Sequence, residues 1–250
     1  MGGIERAFNG GGRLVLVWRA LWLALLVPCT AAAADDAGRT TIAVFGDSQA
    51  QGIAGGLQRV TIEDSRFRIV NHTHPGAALV HGENEWFGPI RAFVGHEKAD
   101  VAVVMFGAND RLDIPAGDGG GYVRFRSDAW RDVYGKRVGK VMSALTDAGL
   151  KVIWCGNPIA RSDTYSNDMS YINEIFAEQA AQYGVQFFPL WGVIVDDQGR
   201  YAAHGKDRDG VTRRMRADDG IHFTAPGYEV IADRLIGALP VADAHAAKAP

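Results

Sequence analysis

The sequence predicts an α/β protein, a three-layer α/β/α sandwich around a five-stranded parallel sheet in the flavodoxin-like order 2-1-3-4-5. Three observations carry this prediction. Short apolar, β-branched runs alternate along the chain with longer segments of helical period, the pattern of strand–helix–strand units. The runs are apolar at consecutive rather than alternate positions, as in parallel strands covered on both faces. A chain of 250 residues with 47 % hydrophobic content can bury one sizeable core, and no linker-like stretch divides it. Right-handed crossovers then restrict the topology, and 2-1-3-4-5 is the common order for this strand count.

The first strand is Thr41-Ile42-Ala43-Val44-Phe45. Gly46 permits a sharp turn after it, and a helix can start at Gln49 and run to Leu57, so Ser48 stands at a strand's carboxyl end beside a helix N-terminus. Open α/β sheets bind ligands there. Phe67-Arg68-Ile69-Val70-Asn71 reads as a short second strand, followed by a turn-rich loop over His72-Thr73-His74-Pro75-Gly76. A short helix is expected over 84–94 and the clearest buried strand over Val101-Ala102-Val103-Val104-Met105-Phe106, ending in Gly107-Ala108-Asn109-Asp110. In the order 2-1-3-4-5 the first and third strands flank the switch point, so Ser48 and Asn109 should face one crevice.

Residues 111–126 contain Pro115 and three consecutive glycines, 119–121, and are expected to lack regular structure while covering that crevice. From 127 to 148 apolar residues recur at Trp130, Val133, Tyr134, Val138, Val141, Met142 and Leu145, a helical spacing closed by Gly149. Lys151-Val152-Ile153-Trp154-Cys155 is the fourth strand. Met169, Ile172, Ile175, Phe176, Ala180 and Tyr183 mark a helix ended by Gly184, and Val185-Gln186-Phe187-Phe188-Pro189-Leu190 is the fifth strand. A polar stretch from 196 to 216 shows no period. Thr224, with Pro226 in the first turn, opens a last helix that Pro240 ends.

Residues 1–34 have the form of a secretory signal: a basic start, an apolar stretch over 20–27, and Ala32-Ala33-Ala34 as a cleavage site before Asp35-Asp36. Cleavage near Ala34 leaves a domain over 35–240 and an alanine-rich tail, 241–250, expected to be disordered, and places the protein in the periplasm or outside the cell. The apolar stretch is short of the roughly 20 residues of a spanning helix, with an uncleaved anchor reaching back to Leu14 as the alternative. Leu26-Val27-Pro28-Cys29 is only loosely similar to a lipoprotein box, because proline stands where a small residue belongs. The net charge of −3 becomes about two units more acidic without the leader, which speaks against nucleic acid as a partner. After cleavage Cys155 is the sole cysteine, so no internal disulfide is expected, and its apolar surroundings mark a buried hydrophobe rather than a catalytic thiol.

The chemistry is carried by Asp218-Asp219-Gly220-Ile221-His222-Phe223-Thr224, just before the last helix. Asp219 and His222, three apart, can share one turn with the carboxylate on one imidazole nitrogen and the other nitrogen free for Ser48. A serine hydroxyl needs such a base to be a useful nucleophile near neutral pH. The blocks Gly46-Asp47-Ser48, Gly107-Ala108-Asn109-Asp110 and Asp219-Gly220-Ile221-His222, in that order across nearly all of the mature chain, resemble the SGNH hydrolases, the GDSL esterase and lipase superfamily. Gly76, five residues after Asn71, is matched to the glycine block of that family without its usual intervening glycine. The segments Asn157-Pro158, Arg161-Ser162 and Tyr165-Ser166-Asn167-Asp168-Met169 look like a little-characterised exported bacterial branch.

The resemblance implies that Ser48 attacks an acyl carbonyl, His222 relays the proton and Asp219 orients His222. It implies an oxyanion hole formed by the Ser48 and Gly76 backbone N–H groups and the Asn109 amide, with no cofactor and no metal. Gln49 replaces the family's usual leucine and is expected to bear on pocket lining, not on the triad. His72, His74 and His81 lack a partner spaced to complete a metal site, and Asp207-Arg208-Asp209-Gly210 lacks the remaining ligands of a calcium loop and reads as a turn. For substrate binding, Arg111, Arg161 and Trp191, with Arg124, Arg126 and Tyr201, can bond or stack on a sugar. An acetylated cell-envelope carbohydrate is therefore the expected substrate. Acyl transfer, lysophospholipase or thioesterase action on the same triad, and non-catalytic glycan binding, are the alternatives.

Overall fold

The computed structural model of the chain describes residues 38–117 and 120–239. The expected leader and its cleavage site, over 1–34, and the tail, over 241–250, lie outside the described residues.

The main sheet has five strands: β1 (Thr40–Gly46), β2 (Phe67–Thr73), β3 (Val101–Met105), β6 (Lys151–Cys155) and β7 (Gln186–Phe188). Their order is β2-β1-β3-β6-β7, all neighbours parallel, the spatial order 2-1-3-4-5. Two short antiparallel pairs lie outside it, β4 (Ile114–Pro115) with β5 (Tyr122–Val123), and β8 (His204–Lys206) with β9 (Thr212–Arg214). The helices are α1 (Ser48–Val60), α2 (Glu83–His96), α3 (Asp128–Asp147), α4 (Asp163–Tyr183) and α5 (Ala225–Ala238).

Consecutive apolar residues in the central strands follow from this layering. Side chains alternate across a strand. Ile42 and Val44 of β1 enter a core with Ile53 and Leu57 of α1 and Ile231 and Leu235 of α5. Ala43 and Phe45 enter the opposite core with Trp86 of α2, Trp130 of α3 and Met169 of α4. Both cores contain fully buried side chains, and the sheet between them is covered on each face, as three layers require.

Several boundaries differ from the sequence expectation for local physical reasons. β2 continues through His72 and Thr73, expected as loop, because its parallel pairing with β1 runs on to the Gly46–Thr73 partners. α4 starts at Asp163, well before the apolar period at Met169, because Ser162 accepts a hydrogen bond from the Tyr165 amide at 3.3 Å and caps the helix. β7 is only the centre of the expected 185–190 strand.

The segment 111–126 is not devoid of regular structure. β4 and β5 pair antiparallel, Ile114 is buried, and the Trp130 indole N–H donates to Leu112 O at 2.9 Å. The unperiodic stretch 196–216 likewise contains the β8–β9 hairpin. Its turn is Asp207-Arg208-Asp209-Gly210, where the Asp207 carboxylate accepts from the Asp209 and Val211 amides at 3.0 and 2.8 Å. Among the described residues, no helix is long and apolar enough to cross a membrane.

Candidate active site

The site forms where β1 and β3 end. Gly46 has φ +134°, and a Cβ there would lie 1.7 Å from Met105 O, so the turn out of β1 accepts only glycine. Asp47 follows as the N-cap of α1, its carboxylate accepting from the Gln49 amide at 2.8 Å. Ser48 is then the first residue of α1, and its N–H is one of those a helix leaves without an intrahelical acceptor. The positive end of the helix dipole sits beside its hydroxyl.

Opposite Ser48, the segment leading into α5 presents Asp219 and His222. Ser48 Oγ is 2.7 Å from His222 Nε2, and His222 Nδ1 is 2.6 Å from Asp219 Oδ2. The other oxygen, Asp219 Oδ1, accepts from the Ile221 and His222 amides at 2.8 and 3.0 Å. With Nδ1–H donated to the carboxylate, Nε2 is the acceptor facing the serine hydroxyl. Burial pulls the Asp219 pKa upward, but these two amides and the imidazole outweigh it and bring it down to about 2, so the carboxylate stays charged beside the ring.

Asn109 and the turn containing Gly76 meet beside this line. His74 N donates to Gly46 O at 2.8 Å, which ties the end of β2 to the end of β1. Gly76 has φ +84° in the turn that follows, closed by Ala77 N to His74 O at 2.9 Å. Asn109 Nδ2 donates to Ala77 O at 3.1 Å. That bond fixes the amide plane and uses one of its two protons. Asn109 is itself held from behind, because the buried Asp110 carboxylate accepts from the Val80 amide at 3.1 Å and the Tyr134 hydroxyl at 2.7 Å. The neighbouring Ala108 O accepts from the Tyr165 hydroxyl at 2.9 Å.

Two buried carboxylates thus lie under the site. Burial pushes the Asp47 pKa up to about 7, against the Gln49 amide and with further elevation by Asp110; burial also pushes Asp110 up to about 6, against the Tyr134 hydroxyl and the Val80 amide. Asp47 Oδ2 has no hydrogen-bond partner among the described residues. A group that binds its proton more tightly in the folded state stabilises the fold below its unfolded pKa, and that contribution is lost as pH rises through the folded value. Wild-type stability should therefore fall between about pH 4 and pH 7. Asp47→Asn keeps the capping oxygen and removes the titration. It is expected to flatten this slope and to be the more stable protein at pH 8, by at least about 1 kcal/mol, the worth of less than one pKa unit. Urea unfolding of both proteins at pH 5 and pH 8 measures it.

The residues expected to bind substrate are placed differently from one another. Arg111 bonds Asp168 at 2.8 Å and lies over the Tyr165 ring at 4.8 Å, with Arg126 on the other Asp168 oxygen at 3.0 Å. Arg161 donates through Nη1 to Asp218 O at 2.8 Å, and its backbone N–H donates to Gly220 O at 3.0 Å, so it braces the turn that carries Asp219. Trp191 is partly buried against the same core as Ile221. Cys155 is buried, and burial alone pushes its thiol up to about 12. His72 stacks on Phe45 with ring centroids 5.2 Å apart and lies 3.3 Å from Glu97, while His81 is 3.1 Å from Glu85. Among the described residues, no group of three or more His, Cys, Asp or Glu side chains could hold a metal ion.

Two residues at the site were not expected from sequence. Gln49, read as pocket lining, is instead 1 % exposed and bonded to Ile221 O. The leucine it replaces was the signal, but leucine gave no hint of a hydrogen bond. Arg216 is equally buried, donates to Ile221 O at 3.0 Å, and stacks over Phe223 at 4.1 Å. Burial lowers its pKa to about 10, which leaves it a cation near Asp219 at neutral pH.

Sheet order, the Ser48–His222–Asp219 line and the Asn109 block together define a protein of the SGNH, or GDSL, hydrolase fold. The chain belongs to the family described as "Protein of unknown function (DUF459)", whose model matches residues 41–238. Among solved structures, it is similar to an acetyl xylan esterase, AlAXEase, at 18 % identity and TM-score 0.57, covering 80 % of this chain and 99 % of that one. An acetylxylan esterase from Geobacillus stearothermophilus matches at 14 % identity and TM-score 0.54, covering 79 % and 93 %. A GDSL-like lipase from Bacteroides thetaiotaomicron matches at 13 % identity and TM-score 0.55, covering 80 % and 87 %. No curated protein matches the chain in sequence.

Proposed function

We propose that this chain is a serine esterase that removes small O-acyl groups, acetyl first among them, from a cell-envelope carbohydrate after export directed by residues 1–34. The observation that carries the esterase reading is the continuous hydrogen-bonded line from Ser48 Oγ through both nitrogens of His222 to Asp219.

In this reading Ser48 Oγ attacks the ester carbonyl as its proton passes to His222 Nε2, and Asp219 stabilises the resulting imidazolium. The negative charge that develops on the carbonyl oxygen is met by the Ser48 and Gly76 N–H groups and by the second proton of the Asn109 amide. His222 then gives its proton to the departing sugar oxygen, which leaves as a hydroxyl, and water repeats the sequence on the acyl-enzyme to release the free acid. Asn109→Ala should lower kcat by about 10² to 10³ with a small effect on KM, the usual result of removing one oxyanion donor. Steady-state kinetics on an aryl acetate measures it.

Acetyl as the acyl group is supported by two of the structural relatives being acetyl xylan esterases. The carbohydrate acceptor is supported by Arg111, two residues after Asn109, and Arg161, bonded to Asp218 O and Gly220 O of the turn that carries Asp219, as donors, with Trp191 offering an apolar ring face. The test is acyl-chain preference with product analysis on acetylated glycans. Efficient release of free acetate supports the proposal. Acetate delivered to an added sugar acceptor means transfer through the same covalent intermediate, and a preference for chains of about ten carbons or more overturns the carbohydrate reading in favour of a lipid or thioester substrate.

A further inference from the structure

The triad is assembled from two parts of the chain, with Ser48 on α1 and Asp219 and His222 on the segment before α5, and the distance between those parts sets the Ser48–His222 contact. Beside the Ser48–His222 contact itself, the Gln49 side chain joins them directly. Gln49, adjacent to the nucleophile, donates from Nε2 to Ile221 O at 2.9 Å, and Ile221 is adjacent to His222. Its other end is fixed as well, because the Tyr228 hydroxyl of α5 donates to Gln49 Oε1 at 2.9 Å. A carbonyl can only accept, so Nε2 must face Ile221 and the amide has one orientation. Tyr228 reaches α1 because Gly52 leaves room, a Cβ there falling 2.0 Å from the ring. Ile221 O takes its second hydrogen bond from Arg216 Nη2, so both lone pairs are engaged.

We propose that Gln49 is a positioning residue for catalysis, a strap that holds the His222 segment against the nucleophile helix. This rests on the serine-esterase reading and goes beyond it, since the leucine usual at this position in the superfamily that the sequence resembles could not make this bond. Leucine fills the space but cannot donate. In Gln49→Leu the Tyr228 hydroxyl loses its acceptor and Ile221 O is left to Arg216 alone, so the imidazole loses the tie that sets its distance to Ser48 Oγ. A misplacement on the order of 1 Å in reacting groups can cost about 10²-fold.

The expected result is a kcat about 10- to 100-fold lower in Gln49→Leu, and in Gln49→Met, with KM within about twofold. The rate of Ser48 labelling by a fluorophosphonate should fall by a similar factor, because that reaction needs the Ser48–His222 contact and no sugar. Tyr228→Phe, which keeps Gln49 but frees its amide, should lose less, and the double variant should be no worse than Gln49→Leu, the signature of one shared interaction. Wild-type kcat and labelling rates in folded Gln49→Leu, or additive losses in the double variant, overturn the strap. Should Gln49→Leu fail to fold, Tyr228→Phe alone decides, an unchanged labelling rate overturning the proposal. If the wild type is neither labelled nor active, the esterase reading falls separately. The strap is then judged by amide hydrogen exchange over 219–223, which should be faster in Gln49→Leu and contradicts the proposal if equal.

Discussion

Replacing Ser48 by alanine is expected to lower kcat/KM for ester hydrolysis by about 10⁴ to 10⁶, with the fold and melting temperature close to wild type. The size follows from the site. The Ser48 hydroxyl lies 2.7 Å from His222 Nε2, the group placed to take its proton, and alanine removes the attacking oxygen outright. The small structural effect follows from its surroundings: the cap of α1 is Asp47, not Ser48, and Ser48 is only partly buried. Residual activity in the variant should be that of the oxyanion donors and substrate binding alone. A protein that hydrolyses aryl acetates equally well with and without this hydroxyl would not be a serine esterase.

The second large effect is expected in the pair behind the serine. His222→Ala should approach the Ser48→Ala loss, and Asp219→Asn should lower kcat by about 10⁴, because the amide no longer selects the tautomer with Nε2 free. Combining either with Ser48→Ala should add little, as the three groups act in one step. The Asp219 carboxylate, brought from 3.8 to about 2, remains ionised across the neutral range, so the acid limb of the wild-type pH–rate profile should not belong to it. Its lowered pKa also adds stability that is present above the unfolded value of 3.8 and is lost as pH falls through about 2. Rates between pH 4 and 9 for wild type and Asp219→Asn, with circular dichroism to confirm folding, measure the first, and urea unfolding of both proteins between pH 2 and 5 measures the second.

The parts legible in the sequence are those written in a few adjacent residues. Gly46-Asp47-Ser48, Asn109-Asp110 and Asp219 with His222 each lie on one turn, where spacing dictates geometry, and strand order followed from buried runs and crossover handedness. What escaped depends on partners brought together by the finished fold. Gln49 and Ile221 are 172 residues apart, and Arg111 and Asp168 are 57 apart. Arg216 sits in a stretch without period, and nothing local marks it for burial beneath the triad. The two hairpins have strands of two and three residues, too short for an alternating pattern to register. Gly76 falls between these cases: its left-handed turn is where the family pattern expects a glycine, and the hydrogen bond that brings the turn to Asn109 comes from a residue on a different strand end.

The most direct test of the central claim is covalent. Protein comprising residues 35–250 is treated with a fluorophosphonate at neutral pH and digested, and the modified peptide is identified by mass spectrometry. The account predicts stoichiometric modification at Ser48 alone, lost in Ser48→Ala and strongly slowed in His222→Ala. Absence of labelling in the folded wild-type protein, or labelling that persists in Ser48→Ala at the wild-type rate, would contradict it.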